Sequence, residues 1–177
     1  MPNPHRPLRT FLSSAFLLVF IPATLAHALG PKGDVFFGYS RTGSNTFYPN
    51  VGGLNGWQGT LHIRMRPFVG IEGDVAHYGL GADSAIPRTT TVLIGPRITF
   101  GAASVKVFGH GLLGGEHSTN KNGISGGALT YAIGGGVDVP IAPFFGWRLV
   151  LDRISAPTQS PESGTHARFC TGIIFRF

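Results

Sequence analysis

The sequence predicts an all-β chain, an eight-stranded antiparallel up-and-down transmembrane β-barrel. Three observations lead there. The composition is glycine-rich and charge-poor, with 27 Gly and 12% charged residues in 177, roughly half the charged share of an ordinary soluble domain. Eight segments alternate apolar and polar side chains over about 9–13 residues each, the length a tilted strand needs to cross a bilayer. The breaks between segments alternate short and long, as in a barrel with tight turns at one end and open loops at the other.

The same composition excludes other classes. Disordered chains are rich in charge and poor in aromatics, whereas 11% of this chain is Phe, Trp or Tyr. A helical bundle would lose roughly 1 kcal/mol at each helical glycine relative to alanine. The glycines lack the three-residue period of collagen. The net charge of +6 reflects scarce acids, and its scattered Lys and Arg predict no nucleic-acid partner. A single cysteine, Cys170, gives no disulfide framework.

Residues 1–28 read as an export signal. Arg6 and Arg9 form a basic start, Phe11 to Ile21 is an apolar run broken only by Ser13 and Ser14, and Pro22 ends it. Ala26 and Ala28 are the small residues that a signal peptidase reads, so the mature chain is expected to begin at Leu29 and to form one barrel over 29–177. The apolar run has 11 residues, too few for a membrane-spanning helix, which takes about 20.

The eight segments are 34–42, 54–66, 69–79, 89–101, 105–116, 128–139, 145–156 and 166–177. Short breaks fall at 67–68, 102–104 and 140–144, and longer polar loops at 43–53, 80–88, 117–127 and 157–165. In the second segment Trp57, Gly59, Leu61, Ile63 and Met65 oppose Gln58, Thr60, His62, Arg64 and Arg66. In the third, Val69, Ile71, Gly73 and Val75 oppose Gly70, Glu72, Asp74 and Ala76. In the fourth, Val92, Ile94, Pro96, Ile98 and Phe100 oppose Leu93, Gly95, Arg97 and Thr99. The fifth is too glycine-rich for its inward face to be assigned. In the eighth, Phe169, Thr171, Ile173, Phe175 and Phe177 oppose Arg168, Cys170, Gly172, Ile174 and Arg176.

Either face could meet solvent. In a soluble barrel the apolar face lines the interior, and in a membrane barrel it meets lipid. Three features favour lipid. The polar faces carry Gly, Ser and Thr where a wet face would carry Lys and Glu. Aromatics gather near segment ends, with Phe68, Phe100, Phe144, Phe145, Trp147, Phe175 and Phe177 at the short-turn end, and Trp57, Tyr78 and Tyr131 nearer the long loops. The polar faces also balance four acids, Glu72, Asp74, Asp138 and Asp152, against four arginines, Arg64, Arg97, Arg148 and Arg168. Charges withdrawn from water need partners. An ion-pair network centred on Arg64, Glu72, Asp74 and Arg97 is therefore expected to fill the lumen and close it to solutes, since eight strands enclose only a side-chain-filled space.

Four stretches carry a resemblance to a known family. They are Asp34-Val35-Phe36-Phe37-Gly38-Tyr39-Ser40, Leu54-Asn55-Gly56-Trp57, the mid-segment Gly95-Pro96-Arg97, and the closing Thr171-Gly172-Ile173-Ile174-Phe175-Arg176-Phe177. Together they resemble the OmpA-like β-barrel family of outer-membrane proteins in its barrel-only form, over essentially all of 34–177. Cys170 departs from the polar residue usual at that place. The resemblance implies a location in the cell outer membrane and contact with membrane lipids, including lipopolysaccharide. It implies a monomer by default. It also implies that Gly172, Phe175 and Phe177 present a terminal signal to the outer-membrane assembly machinery. It fixes no activity, because members range from anchors to adhesins and enzymes.

No catalytic, cofactor or metal site is expected. His117-Ser118-Thr119-Asn120 places Ser118 next to His117, where alternation points the two apart, and the residue at same-face spacing is Thr119. His62, His110 and His166 lie on separate segments, whereas a metal needs several ligands to converge. Gly134-Gly135-Gly136 lacks the Lys-Ser/Thr of a phosphate loop and sits inside a strand pattern, so close packing is expected there. The sequence thus reads as a structural or surface-interacting barrel without enzymatic activity. The alternatives are a small, weakly conducting porin-like channel and, behind it, a lipid-modifying enzyme.

Overall fold

A computed structural model describes residues 32–43, 53–79, 88–102, 105–119, 125–155 and 165–177. The segment read as an export signal and most of the loops at 43–53, 80–88 and 157–165 lie outside these residues, whereas 117–119 and 125–127, read as loop, extend β5 and β6, which pair as far as Thr119 and Ser125. The described residues form eight strands: β1 (Gly33–Thr42), β2 (Asn55–Arg64), β3 (Val69–Tyr78), β4 (Arg88–Ala102), β5 (Val105–Thr119), β6 (Ser125–Pro140), β7 (Phe145–Ser155) and β8 (Thr165–Arg176). Each pairs antiparallel with its sequence neighbours, and β1 pairs with β8, which closes the barrel. Closure leaves no unpaired edge.

The strands follow the two-residue alternation. Phe36 is 0% exposed and its neighbour Phe37 is 62% exposed, so adjacent residues of one type meet opposite environments. The outward set is apolar on every strand, as in Leu61, Ile71, Ile94, Val107, Ile133, Leu151 and Ile173. The inward set holds charge, and Arg97, Arg148 and Arg168 are buried. This polarity is the reverse of a water-soluble barrel and matches a wall facing hydrocarbon with a polar interior.

Tight turns join strands at one end. Between β2 and β3, the Met65 and Arg66 amides both donate to the Val69 carbonyl, at 3.0 and 2.9 Å. Between β6 and β7 the Ala142 amide donates to the Phe145 carbonyl at 3.0 Å. Gly101 approaches the third short turn with φ of +131°, a conformation that L side chains rarely adopt. Around this end the Phe68 and Phe100 rings stack at 6.0 Å, and Phe144, Phe145, Phe175 and Phe177 stand exposed.

Tyr78 is not part of the outer aromatic belt. It is buried and its hydroxyl lies 3.1 Å from Ser40 Oγ, because its even position on β3 turns it inward with Asp74 and Ala76. The fifth segment, unassigned from sequence, turns Phe108, His110, Leu112, Glu116 and Ser118 inward, in register with β4 and β6. The lumen is also more apolar than a polar-face reading implies. Phe36, Phe108, Val150, Cys170 and Ile174 form one buried cluster, and Leu93, Leu112, Ala132 and Ile154 form another.

Candidate functional site: the charged lumen

The inward residues of β1, β3, β4, β6, β7 and β8 meet in one chain of ion pairs. Arg97 on β4 donates to Glu72 at 2.7 Å and Asp138 at 3.2 Å, and lies 3.5 Å from Asp34. Arg148 on β7 reaches Asp138 through Nε at 2.6 Å and Asp34 through Nη2 at 2.6 Å. Arg168 on β8 holds Asp74 at 2.9 Å and Asp152 at 2.6 Å. Gln58 donates to Asp74 beside them.

Two histidines complete the set. His62 Nδ1 lies 2.9 Å from Asp34. Both ring nitrogens of His110 face carboxylates, Nδ1 at 2.8 Å from Glu72 and Nε2 at 2.8 Å from Asp152. Ionised carboxylates only accept, so the doubly protonated ring satisfies both contacts by donating twice. His110 thereby joins the Arg97 group to the Arg168 group. Aromatic faces support the cations: the Arg97 guanidinium lies 3.6 Å from the Phe108 ring centre, and that of Arg148 lies 4.9 Å from Phe108 and 5.5 Å from Phe36.

The balance differs from four acids against four arginines. Arg64 points inward but lies part-exposed at the end of β2, and no acid among the described residues pairs with it. Alternation gives the direction of a side chain, and depth along the barrel decides whether it meets the network. Asp34, one residue into β1, takes a central place that the sequence reading left out. The set is five acids, Asp34, Glu72, Asp74, Asp138 and Asp152, against three arginines and two histidines. The inward parity of β1 could have found Asp34. The glycines of β5 hid His110.

Inward glycines make room for this packing. A Cβ on Gly70 would strike the His62 ring, one on Gly136 the Phe108 ring, and one on Gly134 the Asp152 carboxylate. The space these glycines leave is filled by neighbouring side chains.

Elsewhere the predicted residues separate. His117 and Thr119 share the outer face, with Nε2 3.4 Å from Oγ1, whereas Ser118 turns inward to Thr89 at 2.6 Å. Gly172 is buried against the backbone of Phe37, and Phe175 and Phe177 are exposed on the outer wall. All six acids among the described residues point inward and are buried. The exposed arginines Arg41, Arg88 and Arg153 lie on the outer face toward the long-loop end.

Solved structures share this architecture. The attachment invasion locus protein Ail of Yersinia pestis aligns with 83% of this chain and 99% of its own, at 16% identity and a TM-score of 0.57. Neisserial surface protein A aligns with 84% and 97%, at 13% identity and a TM-score of 0.62. The N-terminal barrel domain of Pseudomonas aeruginosa OprF aligns with 83% and 97%, at 16% identity and a TM-score of 0.58. The fold is that of the OmpA-like outer-membrane barrels. At the level of sequence, no family model and no curated protein matches the chain. What this barrel has in common with these neighbours is a backbone architecture.

Proposed function

We propose that the chain is an integral outer-membrane barrel with a sealed lumen and a structural or surface-interacting role exercised through its four long loops. The reversed polarity of the wall carries this reading: apolar side chains face out on all strands while the described acids face in. In this reading residues 1–28 are removed on export, residues 29–177 form a monomeric barrel, and Gly172, Phe175 and Phe177 address it to the assembly machinery. No catalytic activity is assigned.

The outer rim supports contact with lipopolysaccharide. Arg41 and Arg153 stand on either side of β8, near the level of Phe169 and Ala167, with no outward acid among the described residues. Exposed arginines there suit phosphate groups of an anionic outer leaflet. Ail, similar in fold, has been solved with the heparin analogue sucrose octasulfate, a polyanion, at a TM-score of 0.55 to this chain.

Expression in a Gram-negative host with membrane fractionation tests the reading. The protein should sediment with the outer membrane, begin at Leu29, and lose copurifying lipopolysaccharide when Arg41 and Arg153 are both changed to Gln. Recovery from the soluble or inner-membrane fraction would contradict it.

A further inference from the structure

At the short-turn end the lumen widens into a pocket of about 200 Å³ whose wall is basic. Lys32 leads into β1, Arg64 closes β2, Lys106 opens β5 and Arg176 closes β8. Two acids line the pocket, and both are engaged from deeper in the barrel. Asp34 is held by Arg148 and His62, and Asp138 by Arg148 and Arg97. No acid among the described residues lies within ion-pair distance of the four rim cations.

A second observation is independent of charge. Arg176 Nη2 is buried with no hydrogen-bond partner. Buried donors in native proteins are nearly always satisfied by protein, water or an ion. Here the unsatisfied donor is a guanidinium nitrogen on a wall of like charges.

We propose that this mouth binds a phosphate-class anion between Arg64, Lys106 and Arg176, above the Arg97 ion pairs. Position favours a tetrahedral oxyanion. Around the closed barrel two strands lie between β2 and β5, two between β5 and β8, and one between β8 and β2, so their cations approach from three sides. Phosphate offers oxygens in three dimensions to such donors, whereas a carboxylate offers two in one plane. Guanidinium forks match phosphate edges, and lysine serves as a mobile point charge. A dianion also relieves the repulsion among the rim cations. The source could be free phosphate or a phospholipid headgroup reaching the mouth from the adjacent leaflet.

Isothermal titration of the purified barrel in phosphate-free detergent tests this. Inorganic phosphate and pyrophosphate form one arm, short-chain phosphatidylglycerol a second, and acetate a third. Saturable binding in the first arm supports the site with free phosphate as its source. Binding in the second arm alone supports it with the headgroup as its source. Arg176→Gln and Lys106→Gln should each weaken binding about tenfold, the scale of one charge-assisted hydrogen bond. Arg64→Gln serves if either fails to fold by circular dichroism, and Arg66→Gln, on the exposed turn, should bind as the parent does. No saturable binding, equal binding of acetate, or unchanged affinity in the folded rim variants would overturn the proposal.

Discussion

Arg97 contacts three of the five acids in the ion-pair network, Asp34, Glu72 and Asp138, and caps the Phe108 ring. Removing one partner of a buried ion pair typically costs about 3–5 kcal/mol, and without Arg97 Glu72 would keep only His110 while Asp34 and Asp138 keep Arg148. Arg97→Ala should therefore lower the urea midpoint of the folded barrel. Arg64→Ala, at the part-exposed rim, should leave that midpoint nearly unchanged. Equal losses in the two variants would show that depth does not separate them. The direction of both arginines was legible from alternation, since each lies on the polar alternate of its own strand. The difference between them was not, because parity carries no information on height. The partners of Arg97 were partly legible for the same reason. Glu72 and Asp138 could be counted on inward faces, but their meeting depends on how the strands stagger around the barrel. His110 shows a different limit. On a strand that reads Gly109-His110-Gly111, no apolar neighbours mark the face, and only pairing with β4 and β6 turns it inward.

Each strand keeps its face through small residues at tight places. Pro96 has no amide to donate, and the β4–β5 ladder skips residues 95 and 96 while β3–β4 pairing continues past them. The Gly95-Pro96 step was visible in the sequence, but the close approach of β5 was not: a Cβ on Gly95 would strike the Gly111 carbonyl. On β6, a Cβ at Gly136 would meet both the Leu149 carbonyl and the Phe108 ring, and the carbonyl cannot move without its strand. Gly136→Val should destabilise the barrel by about 1–3 kcal/mol or more, read from urea titration, as overpacking does. Gly73→Val, where a Cβ meets nothing within 4 Å, is the matched control and should be mild. The outward face has its own test. Leu61 lies midway along β2 between Trp57 and Met65, paired with Val35 and Gly73. Leu61→Arg should cost about 2–4 kcal/mol in lipid vesicles, the range for a cation near the bilayer midplane. A change near zero would place that face in water.

As a whole molecule, the barrel depends on an inversion: five of its six described acids are ion-paired inside and its hydrocarbon side chains face out. The sequence carried this inversion in the alternation of its segments, and it carried the strand count in the spacing of its breaks. The mixed interior was less legible, because Leu93, Leu112, Ala132 and Ile154 converge from four strands and no one strand shows them together. Assembly and stability should separate at the closing strand. Phe177 lies exposed at the rim, so its burial in lipid contributes at most a few kcal/mol. Deleting it should reduce the amount reaching the outer membrane in cells while the purified chain still refolds in detergent. Normal cellular levels would remove the terminal-signal reading.

The sealed lumen is the central claim. Three buried arginines, two histidines and five acids are paired across the interior, aromatic rings lie against the guanidinium groups, and side chains occupy the space beside the inward glycines. Beyond the pocket at the short-turn mouth, eight strands leave little width around such a core. The direct measurement is single-channel recording of the purified protein in planar bilayers at neutral pH. The closed core predicts a silent membrane or brief, small events only. A steady, long-lived current would contradict it and make the barrel a channel.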